Sequence, residues 1–110
     1  EDLGLAARTT LFVVSDHGFR FTRRSIHANA ALADAGLLTV ADGRIATCDV
    51  EAISFGGHAM VYVHDGARRD ELRSRARAAL VALEGVTGVA DPEAYGLPAF
   101  GSDPEVPDFV

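Results

Sequence analysis

Apolar residues in this chain fall into short blocks whose spacing alternates between strand-like and helical. Leu11-Phe12-Val13-Val14 is an unbroken apolar run with the length and branching of a strand buried on both faces. Ser15-Asp16-His17-Gly18-Phe19 follows at once, so the run ends in a carboxylate, an imidazole and a glycine that permits a sharp turn. Ala28, Ala31, Leu32 and Ala35 recur at helical intervals and predict a helix over 25–35, stopped by Gly36. Leu37–Val40 and Arg44–Val50 read as short strands around Ala41-Asp42-Gly43, a hairpin signal because Asp and Gly tolerate positive φ. Ile53–Gly57, with its two glycines, breaks the alternation, and Ala59–His64 predicts a further strand before Asp65-Gly66. Leu72, Ala76, Ala79, Leu80 and Leu83 form the apolar stripe of a helix over 70–83, with Arg73, Arg75 and Arg77 mostly off that stripe. Glu71 and Arg75 are an i,i+4 pair of favourable order, and Gly85 can end the helix. Val86–Ala90 reads as a last strand, after which Pro92, Pro98, Pro104 and Pro107 make the chain turn-rich. Glu1–Arg8 is a leading segment with helical potential.

From 25 to 90 the predicted order is helix, hairpin, strand, helix, strand. Two amphipathic helices over a mostly antiparallel sheet make a two-layer α+β unit of ferredoxin-like type. Residues 1–20 and 92–110 fall outside it.

Composition narrows the functional classes. At 110 residues one domain is the natural count, and 48% hydrophobic with 24% charged residues suits a globular chain. The net charge is −6 and no basic block exceeds Arg23-Arg24 or Arg68-Arg69, which argues against a nucleic-acid polymer as partner. All 10 basic residues are Arg, so lysine chemistry, including Schiff bases and phosphate-loop lysines, is excluded within the chain. Cys48 is the single cysteine and sits among Ile45-Ala46-Thr47, the setting of a small packed side chain rather than a reactive thiol. No apolar run is long enough to span a membrane and no signal peptide is visible, and the compartment stays open.

Asp16 and His17 carry the candidate chemistry. Open α/β sheets place their sites just beyond the carboxyl ends of strands. Carboxylate and imidazole suit zinc, and at a strand end both side chains can converge on one ion. Ser15 lacks the Gly-x-Ser-x-Gly setting of a nucleophile and is expected to bond the turn backbone.

Ser15-Asp16-His17-Gly18 after an apolar strand resembles the alkaline phosphatase superfamily, and most closely its type I phosphodiesterase/nucleotide pyrophosphatase branch. Residues 25–38, ending in Gly36-Leu37-Leu38, resemble the helix and corner that follow the metal motif there, and Gly56–Val63 is similar to a later glycine-pair strand. The resemblance covers residues 10–65 well and the rest loosely. It implies that Asp16 and His17 bind one of two divalent metals, expected to be Zn2+. It places the Thr or Ser nucleophile, which carries the phosphoryl group covalently, and the other ligands in motifs that this sequence does not contain. A complete two-metal site needs about six protein ligands, at roughly three or four per ion. The expectation is therefore a piece of a longer enzyme that cleaves phosphate esters or nucleotide pyrophosphate bonds, inactive without the remainder of its parent chain. Residues 1–20 would belong to the catalytic α/β core, 21–91 to a cap-like insertion beside the site, and 92–110 to a return toward the core. Two ions about 4 Å apart can clamp the attacking and leaving oxygens of an in-line displacement, and a bound ion lowers the pKa of a nucleophile's hydroxyl.

Arg20, with Arg23 and Arg24, follows the motif and could grip a phosphodiester through its planar guanidinium, or stand as a solvated loop charge. Asn29 could touch substrate and His27 could lie near the metals; hydrogen bonding at the helix start is the competing reading for both. His58 reads as the first residue of its strand and His64 as a solvent-facing turn residue. Two other readings stay open: a non-catalytic α+β ligand-binding or dimerising module, pairing as a homodimer through sheet edges or faces, and another enzyme of the same superfamily, such as a phosphonate hydrolase or phosphomutase-like protein.

Overall fold

A computed structural model describes residues 4–5, 8–103 and 105–110. Most of the leading segment and Pro104 lie outside the described residues. The chain forms a mixed α+β fold in the order α1 (Ala28–Asp34), β1 (Leu38–Ala41), β2 (Arg44–Cys48), β3 (Val50–Phe55), β4 (His58–Val63) and α2 (Arg69–Val81). The strands pair as two antiparallel hairpins, β1 with β2 and β3 with β4, in separate ladders.

Helix α1 begins at Ala28, the first residue of its apolar stripe, rather than at Ser25, and it stops where predicted. Leu37 N–H donates to Leu32 C=O at 2.9 Å and Gly36 N–H to Ala33 C=O at 2.9 Å. This double bond pattern is a Schellman motif, and Gly36 supplies its left-handed residue at φ +70°. The motif turns Leu37 back against Leu32, and both are buried in the core. A Cβ at Gly36 would have room, its nearest neighbour being Arg75 Nη2 at 3.9 Å, so strain alone opposes substitution. Gly36→Ala is expected to cost about 1 kcal/mol in urea unfolding, because a left-handed residue with a Cβ costs about 1–2 kcal/mol.

Asp42 and Gly43, at φ 51° and 73°, form the predicted two-residue turn between β1 and β2. The second hairpin departs from expectation. Ile53–Phe55 continues a strand instead of breaking one, and Gly56-Gly57 is its turn, with Phe55 opposite His58 and Gly56 at φ 69°. Val50, Ala52, Val61 and Val63 face inward. The opposite face carries Glu51, Ile53, Phe55, His58, Met60 and Tyr62, by the two-residue alternation of a strand.

A ferredoxin-like sandwich is not what these ladders build. Such a sheet needs the first hairpin to continue into the second. Here Asp49 and Val50 N–H both donate to Leu37 C=O, at 3.0 and 3.1 Å, so β2 ends at Cys48 and β3 pairs in a separate ladder with β4. Val86–Ala90 forms no strand either; only Ala90 pairs, exchanging two 2.9 Å backbone bonds with Val110. Phe109 in turn bridges antiparallel to Val61 of β4. Residues 108–110 thus lie along the edge of β4, where a last strand could have paired.

Helix α2 packs Leu72, Ala76 and Leu80 into the core, as its stripe predicts. Its arginines are not idle. Arg69, Arg73 and Arg77, spaced i,i+4, clamp the neighbouring chain. Arg69 donates to Val63 C=O at 2.8 Å, Arg73 to Asp108 C=O at 2.9 Å, and Arg77 to Val89 C=O at 2.7 Å and Asp91 at 2.9 Å. The buried Asp108 carboxylate lies 3.5 Å from Arg73 Nε and 3.8 Å from Arg69 Nε, while its Oδ2 accepts Val63 N–H at 2.8 Å. Arg73 also lies over the Phe100 ring at 3.9 Å.

The largest correction concerns the run at 11–14. It forms no strand, and Leu11, Phe12, Val13 and Val14 are 81–88% exposed. A strand needs a ladder partner and apolar cover, and the described residues offer this run neither. The segment first touches the packed body at an Arg24–Glu84 ion pair and where Ile26 meets Gly85.

Candidate metal centre

The turn after Val14 is held by its own polar atoms. Ser15 Oγ donates to His17 C=O at 2.8 Å, the backbone role expected for this serine. His17 N–H donates to Asp16 Oδ1 at 2.9 Å, and the His17 ring packs edge-on against Phe19 with centroids 5.5 Å apart. His17 Nδ1 lies 3.0 Å from Gly18 C=O. A carbonyl only accepts, so that contact requires the proton on Nδ1 and directs Nε2 outward. With one carboxylate oxygen engaged by backbone, Oδ2 is the oxygen left to act. Nε2 and Oδ2 face each other at 3.3 Å. A carboxylate oxygen and an imidazole nitrogen so placed are both available to one cation. The donor set and its backbone anchoring therefore fit one edge of a borderline divalent ion's coordination shell. Both side chains are solvent-exposed, and the described residues bring no further metal-ligating group to them.

The substrate-side candidates do not gather around this edge. Arg20 and Arg23 are exposed and, among the described residues, have no ion-pair partner. His27 stands at the N-cap of α1 without a side-chain capping bond. Asn29 spans from α1 to β3: its Nδ2 donates to Ala52 C=O at 2.9 Å and its Oδ1 accepts Ala52 N–H at 2.7 Å. This two-way clamp fixes helix to strand, a longer reach than the helix-start bonding expected for it. His27 and Asn29 do share one shallow groove of about 340 Å³, walled also by Ile26, Val40 and Ser54. Asp16, His17 and Arg20 are not among its walls.

The sequence model of the type I phosphodiesterase / nucleotide pyrophosphatase family matches residues 1–110. The chain belongs to this family. No curated protein and no solved structure matches it. The phosphodiesterase/nucleotide pyrophosphatase family comprises hydrolases that are typically metal-dependent and act on phosphoesters. Asp16-His17, as an anchored carboxylate–imidazole edge, suits that chemistry. No helix among the described residues is long and apolar enough to cross a membrane.

Two polar groupings escaped the sequence reading. One is the Arg69–Arg73–Asp108 cluster, whose i,i+4 arginines were visible but whose acid lies 35 residues beyond Arg73. The other is Cys48, Glu51 and His64, whose ligand atoms all lie within 4.8 Å of one another. The signal for the second was the Gly56-Gly57 turn: a hairpin about it sets Glu51 opposite Tyr62, and hence diagonal to His64 on one face.

Proposed function

We propose that this chain is part of a metal-dependent phosphodiesterase or nucleotide pyrophosphatase in which Asp16 and His17 hold one of two zinc ions. One observation carries the reading: a fully apolar segment, exposed along its length, delivers an acid and an imidazole whose free atoms already face each other. Interior-type sequence without an interior implies that its cover comes from elsewhere in a longer polypeptide, and two ligands imply that the remaining ligands come from there too. When bound, the ions would polarise a phosphoryl oxygen and favour ionisation of the nucleophile's hydroxyl.

This chain's own part is to bind and orient. Gly18 C=O holds the His17 ring in the tautomer with Nε2 free, and His17 N–H holds the Asp16 carboxylate. Residues 21–91 act as a cap-like module beside the site, with the His27–Asn29 groove on its flank and Arg20 on the connecting segment, placed to meet a phosphate or nucleotide-like substrate.

The 110 residues alone are expected to show no turnover of a chromogenic phosphodiester with Zn2+ supplied, while the longer polypeptide turns over. Metal-dependent hydrolysis by the purified 110-residue chain would contradict the proposal.

A further inference from the structure

We propose that Cys48, Glu51 and His64 form a separate binding site for a divalent cation of the zinc class, at the junction of β2, β3 and the end of β4. The site does not depend on the Asp16–His17 reading.

The three side chains present one sulfur, one oxygen and one nitrogen donor, all within 4.8 Å of one another. Corners of a zinc tetrahedron with bonds of about 2.0–2.3 Å to N, O and S lie about 3.3–3.8 Å apart, so the donors need close by no more than about 1–1.5 Å to share an ion. His64 Nε2 and Glu51 Oε1 already lie 3.0 Å apart, so two of the corners are in register without the ion. Thiolate with imidazole selects zinc-like ions over magnesium or calcium. Thiolate and carboxylate together carry two negative charges, which cancel those of a divalent cation in a half-buried setting.

The frame around the donors is built. His64 N–H donates to Asp49 C=O at 2.9 Å, which ties the end of β4 to the residue after Cys48. The Asp49 carboxylate accepts from Arg68 Nη2 at 2.8 Å, and Arg68 Nε donates to Asp65 at 3.1 Å, so the Arg68 guanidinium is paired on two acids. Burial, then Glu51, then Asp49, push the Cys48 thiol above its ordinary pKa. Metal binding must displace that proton. On binding, the thiol proton and any proton shared by His64 and Glu51 pass to solvent, and S–metal, N–metal and O–metal bonds form.

Cobalt(II) alone tests this, because a thiolate–cobalt bond has its own charge-transfer absorption and the chain holds 1 cysteine. Titrating the chain should give a saturable charge-transfer band at one cobalt per chain, displaced by zinc. Cys48→Ser should abolish the band. His64→Ala and Glu51→Gln should each weaken cobalt binding at least tenfold with the far-ultraviolet circular dichroism unchanged. A variant carrying both Asp16→Ala and His17→Ala should keep the band intact, which separates this site from the proposed catalytic one. Absence of a saturable band in the unaltered chain, one cobalt shared by two chains, or undiminished binding by His64→Ala would overturn the proposal.

Discussion

In the longer polypeptide, Asp16→Ala and His17→Ala are each expected to lower phosphodiester turnover by at least about a hundredfold and to release one of two bound zinc ions. Replacing groups that merely orient a metal's ligands costs about 10–100-fold in affinity or activity, and losing a ligand itself should exceed that. The geometry sets the two residues apart from one another. His17 supplies a nitrogen whose direction is fixed by Gly18, whereas Asp16 retains a second oxygen that its own backbone contact does not use. Asp16→Asn keeps an oxygen acceptor but loses the charge, so it should bind zinc more weakly than the parent and better than Asp16→Ala. Metal content measured alongside kcat and KM checks the claim, and turnover should recover in part at high zinc for Asn but not for Ala. Ser15→Ala is a useful companion, since it removes only a turn bond of 2.8 Å and leaves both donor atoms in place.

The second large effect is on stability. Asp108→Ala is expected to destabilise the chain by about 3 kcal/mol, the low end for removing one partner from a buried ion pair, because the two arginines stay partly solvated. The substitution would leave Arg69 and Arg73 facing a void and Val63 N–H without its 2.8 Å acceptor. Marginal domains have only about 5–15 kcal/mol in all, so much of the variant population would be unfolded at growth temperature. Asp108→Asn retains a carbonyl oxygen for Val63 and should cost less. Urea denaturation with an unchanged slope and a shifted midpoint is the measurement. A midpoint for Asp108→Ala within error of the parent's would remove the cluster from any account of the fold. The location explains the size of the effect. Asp108 precedes Phe109, which is fully buried and bridges β4, so the cluster fastens the C-terminal edge to helix α2.

What could be read from the sequence was local. The stripe Leu72–Ala76–Leu80 and the turn at Asp42-Gly43 are set by residues a few positions apart, and both stand where the spacing put them. The stop at Gly36 is local as well, because a Schellman motif spans six residues. The misreadings were of another kind. Gly56-Gly57 looked like an interruption because glycine weakens strands, yet here it is the turn that allows Ile53–Phe55 to remain in one. Val86–Ala90 has strand-like composition, but the edge of β4 is taken by Phe109 from the far end of the chain, a contact no short window contains. Leu11–Val14 shows the limit most plainly. Its composition states that it favours burial and says nothing of where the burying surface is; the described residues leave it bare. For the same reason the pair Asp16-His17 is legible as a candidate ligand motif, while the sequence offers nothing to complete its shell.

Asn29 marks a boundary between site and scaffold. Both ends of its amide are engaged with Ala52, so any substrate contact would have to share atoms already bonded to β3. Arg20 carries no such commitment among the described residues.

Anomalous scattering at the zinc absorption edge from crystals of the longer polypeptide tests the central claim most directly. The account predicts a peak within about 2.0–2.2 Å of both Asp16 Oδ2 and His17 Nε2, the range of zinc–oxygen and zinc–nitrogen bonds, with a second peak close by and the remaining ligands drawn from outside residues 1–110. Fully occupied zinc peaks at an active site that leave both of these atoms unbound would contradict it.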